Sequence, residues 1–281
     1  MFQQPTSVSA ALDLMAQPGA RLLAGGTDFF PALGDQPIKT PVIDISRLAD
    51  LRGITETEAH FRIGAGATWS EIVAHPLPRC FDGLKAAARE VGSIQIQNRG
   101  TIAGNLCNAS PAADSVPPLL TLEAEVELTS RQGQRVLPLS AFVLGNRRTA
   151  LQTSEMVTAV LVPKRMAGFT TTFTKLGARR YLVISIAMIA VAVSLENGRI
   201  AAINIAIGSC SAVAQRLPAA EAALLGCASP AGIAGRLDPI VLAPIAPIDD
   251  IRATASYRRD AAGTLLKRVV RDAFLLAQKE A

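Results

Sequence analysis

Gln97-Asn98-Arg99-Gly100-Thr101-Ile102-Ala103-Gly104-Asn105-Leu106-Cys107-Asn108-Ala109-Ser110-Pro111-Ala112-Ala113-Asp114-Ser115-Val116-Pro117-Pro118-Leu119-Leu120 is the stretch around which the rest of the chain is organised. Small and turn-forming residues are too dense in it for a packed helix, and its polar groups recur too regularly for a slack linker. We read it as a ligand cradle. Within Thr101-Ile102-Ala103-Gly104-Asn105, residues with little side chain let a ligand approach the main chain, and Gly104 can take backbone angles closed to other residues. Exposed N–H groups in such a turn form a concavity for an anion such as phosphate, with Thr101, Asn105 and Ser110 as side-chain donors. Asp114 then opens Asp114-Ser115-Val116-Pro117-Pro118-Leu119-Leu120, whose acid and early prolines suit a helix start. On the residues alone, that acid either caps a helix or binds a ligand diol.

Upstream, Thr6 or Ser7 caps a helix with Val8, Ala11, Leu12 and Met15 on one face, ended by Pro18-Gly19. The strand Arg21-Leu22-Leu23-Ala24 runs into Gly25-Gly26-Thr27-Asp28, which on the residues alone is either a second anion seat or only a turn, and then into Phe29-Phe30. Val42 to Ile45 and Phe61 to Ile63 read as strands. Gly64-Ala65-Gly66-Ala67-Thr68 imitates a dinucleotide fingerprint, but Trp69 stands where the third glycine belongs and no βαβ unit surrounds it. A helix entry capped by Thr68 or Ser70 is predicted there instead, followed by a helix over Gly83 to Val91.

Downstream, Glu123 to Thr129 and Val136-Leu137 form a hairpin through Arg131 to Arg135, and Met156 to Val162 is a further strand. The pattern breaks at Lys164 to Gly168, where a domain boundary is placed. Beyond it, Phe169 to Leu176, Ile184 to Leu195 and Ile200 to Ile207 read as three strands, with Asn197-Gly198 as a hairpin turn. Pro218 to Leu225 and Tyr257 to Gln278 supply covering helices.

The 281 residues suffice for one large domain or two ordinary ones, and 49% hydrophobic residues with only 18% charged exclude a disordered chain. Basic residues cluster at Arg252, Arg258, Arg259, Lys267, Arg268 and Arg271, as on a solvated helix face or opposite an acidic partner subunit; no nucleic-acid motif accompanies them. Cys80, Cys107, Cys210 and Cys227 contain no C-x-x-C pair, which argues against an internal zinc or iron–sulfur site and for reduced thiols in a cytoplasmic protein. The most apolar run, Leu182 to Leu195, falls short of the roughly 20 residues that span a bilayer.

Taken together, Leu22-Leu23-Ala24-Gly25-Gly26-Thr27-Asp28, Thr101-Ile102-Ala103-Gly104-Asn105, Ser110-Pro111-Ala112-Ala113-Asp114 and Tyr257-Arg258-Arg259 make the chain resemble, over nearly its full length, the FAD-binding medium subunit of the molybdenum hydroxylases. That group includes bacterial xanthine dehydrogenases and carbon monoxide dehydrogenase. The resemblance implies an α+β chain: a two-lobed FAD-binding domain of the vanillyl-alcohol-oxidase (PCMH) type over 1–166, with lobes of about 1–55 and 56–166, then a smaller α+β domain over 167–281 with an antiparallel three-stranded sheet and helices. It implies that Leu22, Leu23, Ala24, Gly25, Gly26, Thr27, Asp28 and Phe29 follow the pyrophosphate and ribityl chain of FAD. Thr101, Ile102, Ala103, Gly104, Asn105 and Ser110 would form the facing turn, with Asp114 at a flavin-contact position. Lys175 falls where the family places a cation near the flavin, a charge that would favour reduced, anionic flavin.

Two departures stand out: Val91 stands where the animal xanthine enzymes carry an aromatic residue, and Tyr181-Leu182-Val183-Ile184-Ser185 stands where many relatives have an acidic residue. Tyr181 reads as a core or interface residue ahead of one that approaches the flavin ring. By the same resemblance, an iron–sulfur small subunit with 2Fe–2S clusters and a large subunit with a molybdopterin cofactor are the partners, in a dimer of heterotrimers. Electrons would pass through FAD to NAD or another acceptor, and this chain supplies no general base of its own. The rival expectation is a non-catalytic assembly subunit with weak or no flavin binding.

Overall fold

The computed structural model describes residues 1–237 and 239–280. Asp238 and Ala281, both inside the expected second domain, lie outside the described residues.

The chain opens with a parallel sheet of β1 (Phe2–Gln3), β2 (Arg21–Leu23) and β3 (Val42–Asp44), in the order β1-β3-β2. The helix Val8–Met15 joins β1 to β2 and is capped by Ser7, whose Oγ accepts from the Ala10 N–H at 3.1 Å. All three residues of β3 are buried, which makes it the central strand.

A larger antiparallel sheet follows. Its strands are β4 (Ile54–Glu56), β5 (His60–Gly64), β6 (Glu125–Ser130) and β7 (Gly133–Pro138), and, after the small hairpin of β8 (Val143–Gly145) and β9 (Arg148–Thr149), β10 (Met156–Pro163). The order is β4-β5-β10-β6-β7. Every residue of β10 is buried, as its unbroken Met156 to Val162 run suggests for a central strand. Thr68, not Ser70, caps the helix Trp69–Ala74: its Oγ1 accepts from the Glu71 N–H while the Glu71 carboxylate returns to the Thr68 N–H at 2.7 Å.

A 3₁₀ turn over Lys164–Gly168 leads to the third sheet, in which β11 (Thr170–Leu176), β12 (Ala187–Glu196), β13 (Arg199–Gly208) and β14 (Gln215–Arg216) run antiparallel in chain order. The three expected strands are present, and the two-residue β14 extends them. Residues 184–186, expected in the second strand, belong instead to the connection before it. At the β12–β13 turn Asn197 and Gly198 both have positive φ, 52° and 71°, as a two-residue hairpin loop requires.

Alternation along β12 explains how the parts join. Ala187, Ile189, Val191 and Val193 face a core with Ala262, Leu266, Val269, Val270 and Phe274 of the long helix Ala255–Gln278. The opposite face carries Ala190 and Ala192, where the helices Asp82–Glu90 and Val116–Thr121 pack against the sheet. Small residues there let the first part of the chain approach closely, and burial on both faces accounts for the continuous apolar run. Among the described residues no helix is long and apolar enough to cross a membrane.

Candidate functional site

After β2 the chain turns at Gly25-Gly26. A Cβ on Gly25 would lie 1.9 Å from the Arg99 carbonyl oxygen, so the two glycine-rich stretches touch backbone to backbone, and only glycine permits it. Gly26 has φ +77°, which turns the chain outward. The N–H groups of Gly25, Gly26, Thr27 and Asp28 find no acceptor among the described residues. A row of free amides beside a cavity is an anion seat.

The facing stretch differs from the turn expected of it. Ile102–Asn108 is a helix, capped by Thr101. The Thr101 hydroxyl accepts from the Gly104 N–H at 3.1 Å, and the Asn105 N–H bonds the Thr101 carbonyl at 3.0 Å. The Ile102 and Ala103 N–H groups go to the carbonyls of Ala67 and Ala65. All four amides are thus satisfied within the chain, and the second stretch offers side chains and close approach rather than a nest. Gly64-Ala65-Gly66-Ala67-Thr68 is what backs it. A Cβ on Gly104 would press to 2.8 Å on the capping Thr101 hydroxyl and meet nothing else within 4 Å, and Gly104 lines the cavity.

Between the two stretches lies a cavity of about 1250 Å³. Leu22, Ala24, Gly25, Gly26, Thr27, Asp28, Phe29, Thr101, Ala103, Gly104, Asn105, Ser110 and Asp114 all line it. Leu23 and Ile102 do not: alternation turns Leu23 inward at 7% exposure, and Ile102 is fully buried beneath its helix. Val91 lines the wall, as do Leu182, Val183 and Ile184 of the connection between β11 and β12. Tyr181 beside them is 60% exposed and is not a core residue.

Lys175 is also absent from the lining, because its ammonium is turned to Asp114. Nζ donates to Asp114 Oδ2 at 2.7 Å, and the Ser185 hydroxyl donates to Oδ1 at 2.5 Å. Burial raises the Asp114 carboxyl above its ordinary value, opposed by the Lys175 ammonium and the Ser185 hydroxyl. The lysine ammonium is therefore directed at Asp114 and away from the cavity.

Five arginines that carry no linear signature line the cavity: Arg21, Arg47, Arg52, Arg99 and Arg147. Arg52 pairs with Glu71, and Arg147 donates to Asn108. Arg21 stacks over Phe29 at 4.5 Å, and neither it nor Arg47 nor Arg99 makes a close ion pair with a carboxylate among the described residues, although the Arg47 charge helps hold the Asp44 carboxyl down. Their isolation in sequence hid them; strands and turns from separate segments bring them together. Free amides, unpaired guanidinium groups and a glycine opening onto the space suit an elongated dianion, and they fit the pyrophosphate of a dinucleotide cofactor.

The family described as the FAD binding domain in molybdopterin dehydrogenase matches residues 1–165, and the carbon monoxide dehydrogenase flavoprotein C-terminal domain matches 172–273. The chain is 30% identical over 283 residues to the xanthine dehydrogenase FAD-binding subunit of Escherichia coli O157:H7, covering 98% of this chain and 96% of that one. It is 30% identical over 279 residues to the carbon monoxide dehydrogenase medium chain of Hydrogenophaga pseudoflava, covering 97% and 96%. A solved structure of carbon monoxide dehydrogenase from that organism superimposes with a TM-score of 0.89 at 31% identity, covering 98% of this chain and 96% of the other. With a shared fold, matched domains and a cavity of the right chemistry, the chain belongs to the FAD-binding medium subunits of the molybdenum hydroxylases, the family of the xanthine and carbon monoxide dehydrogenases.

Proposed function

We propose that the cavity binds one FAD and that the chain is the electron-exit subunit of a molybdenum-containing dehydrogenase. The observation that carries this reading is the row of four unpartnered N–H groups, Gly25 to Asp28, in residues that line the same cavity as Gly104. Those amides hold the pyrophosphate, with Arg99 and Arg47 adding charge. Leu22, Ala24, Phe29, Ala103 and Val183 cover apolar surface, and Thr101, Asn105, Ser110 and Asp114 supply polar contacts. Held by these residues, FAD would supply redox chemistry that no side chain here can, as the relay between iron–sulfur clusters of a partner subunit and NAD or another acceptor. The chain's residues orient the cofactor, exclude water from it and set its electrostatic surroundings.

In this reading residues 1–166 form the flavin domain and 167–281 the smaller one, and a large subunit holds the molybdopterin cofactor where the complex hydroxylates its substrate. The site is assigned to a cytoplasmic assembly of heterotrimers in pairs. The test is the flavin content of the purified chain against Gly104→Leu, whose side chain fills the space above the helix start. Stoichiometric FAD in the parent and its loss from a folded variant are expected. A parent that stays colourless after reconstitution with FAD and its partner subunits would leave the assembly-subunit reading in its place.

A further inference from the structure

The connection 177–186 between β11 and β12 walls the cavity through Leu182, Val183 and Ile184, yet its outer residues are exposed: Tyr181 at 60%, Leu182 at 56% and Ile184 at 50%. A segment with so little packing on its outer side needs to be held from within. Lys175 holds it. The Lys175 ammonium has three acceptors: Asp114 Oδ2 at 2.7 Å, the Val183 carbonyl at 3.2 Å and the Glu90 carbonyl at 3.4 Å. Three donors are all an ammonium has, so none is left for a ligand. Glu90, Asp114 and Val183 each line the cavity, on three separate segments, while Lys175 lies behind them with its side chain 7% exposed.

Other contacts converge on the same segment. Ser185 donates to the second oxygen of Asp114 at 2.5 Å. The Ile186 N–H closes on the Leu176 carbonyl at 2.7 Å, and the Ile186 carbonyl accepts from buried Arg258 at 2.6 Å. The Val183 side chain occupies the place a Cβ would take at Gly177, 2.5 Å from it. The connection is thus fixed at its base and at Val183, and free at its tip.

Resting on the FAD reading, we infer that Lys175 is a positioning residue: through Asp114, Ser185, Glu90 and Val183 it holds the connection 177–186 in place as a wall of the flavin cavity, rather than presenting its charge to the flavin. Removing the ammonium frees the Val183 carbonyl and leaves the Asp114 carboxylate without its counter-charge, so the wall loosens and the cofactor escapes. A through-space cation would act differently, since its loss changes how the bound flavin accepts an anion at the ring while leaving retention intact.

The experiment measures two quantities on the FAD-loaded chain: the rate of FAD release, by recovery of flavin fluorescence, and the affinity of the bound flavin for sulfite, by bleaching of its visible band. Lys175→Met is expected to speed release at least tenfold, with sulfite affinity of the retained flavin within twofold of the parent, and Lys175→Arg to recover part of the retention. Lys175→Met/Asp114→Asn, which removes both charges, is expected to cost less than the product of the two single changes. Unchanged release in Lys175→Met overturns the inference, and if sulfite affinity also falls tenfold it assigns the lysine to direct electrostatics. Should Lys175→Met not fold, Ser185→Ala carries the test: release at least threefold faster supports the inference, and unchanged release overturns it. A parent that binds no FAD would defeat the flavin reading itself, a result separate from all of these.

Discussion

Replacing Gly25 by alanine tests whether the backbone contact between the glycine-rich stretches builds the site. The new Cβ would stand 1.9 Å from the Arg99 carbonyl oxygen, 2.6 Å from its carbon and 3.1 Å from the Gly100 Cα. Even a close carbon–oxygen contact of about 3.0 Å demands that the two stretches part by about 1.1 Å, and no rotamer relieves a clash between backbones. Overpacking of this kind costs about 1–3 kcal/mol, and the absence of a yielding side chain places Gly25→Ala at the upper end. At about 2–4 °C per kcal/mol for a chain somewhat shorter than this one, the melting temperature falls by about 5–10 °C. The same displacement pulls the Gly25 to Asp28 amides off a bound pyrophosphate; losing one or two charge-assisted hydrogen bonds, each worth about 1.5–3 kcal/mol, weakens FAD by at least tenfold. Thermal unfolding and a fluorescence titration with FAD read both effects. Gly235→Ala serves as control, because a Cβ there meets nothing within 4 Å, and it should be neutral or slightly stabilising. A Gly25→Ala protein that melts within 1 °C of the parent and keeps its FAD affinity would refute the reasoning.

Arg258 is 3% exposed and donates to the carbonyls of Ile186 and Ser209 and to Asp250. Arg258→Met should cost about 3 kcal/mol in urea unfolding, and Arg258→Lys should recover only part, since one ammonium lacks the reach of the guanidinium fork. The Arg135 guanidinium, bonded to both oxygens of Glu155, holds that carboxyl below its ordinary value despite desolvation. The stability it contributes is present above the ordinary glutamate pKa of 4.5 and is lost as pH falls through the lower folded value. Glu155→Gln should therefore lower the melting temperature at pH 7, with the gap to the parent narrowing in acid. Burial pushes the Cys80 thiol up to about 12 and the Cys210 thiol up to about 11, so neither should react with a thiol reagent at pH 8 until the chain unfolds.

Local signals carried much of the architecture. Ser7 and Thr68 cap where their positions suggest, Asn197-Gly198 turns the hairpin, and the three main strands of the third sheet follow from alternation and apolar runs. The cradle was harder. Density of small residues suggests a turn at Thr101 to Asn105, but the Thr101 cap and the backing carbonyls of Ala65 and Ala67 make Ile102–Asn108 helical, a tertiary effect that propensity does not contain. Lys175 is another such case: the resemblance puts it near the flavin, while its direction depends on Asp114, 61 residues away. The cavity arginines come from segments between Arg21 and Arg147, and only the folded chain assembles them.

The most direct measurement is an experimental structure of the chain with FAD bound. The pyrophosphate is expected within hydrogen-bond reach of the Gly25, Gly26, Thr27 and Asp28 amides, beside Gly104 and with Lys175 still turned to Asp114. A pyrophosphate seated elsewhere, with those amides facing solvent, would contradict the proposed site.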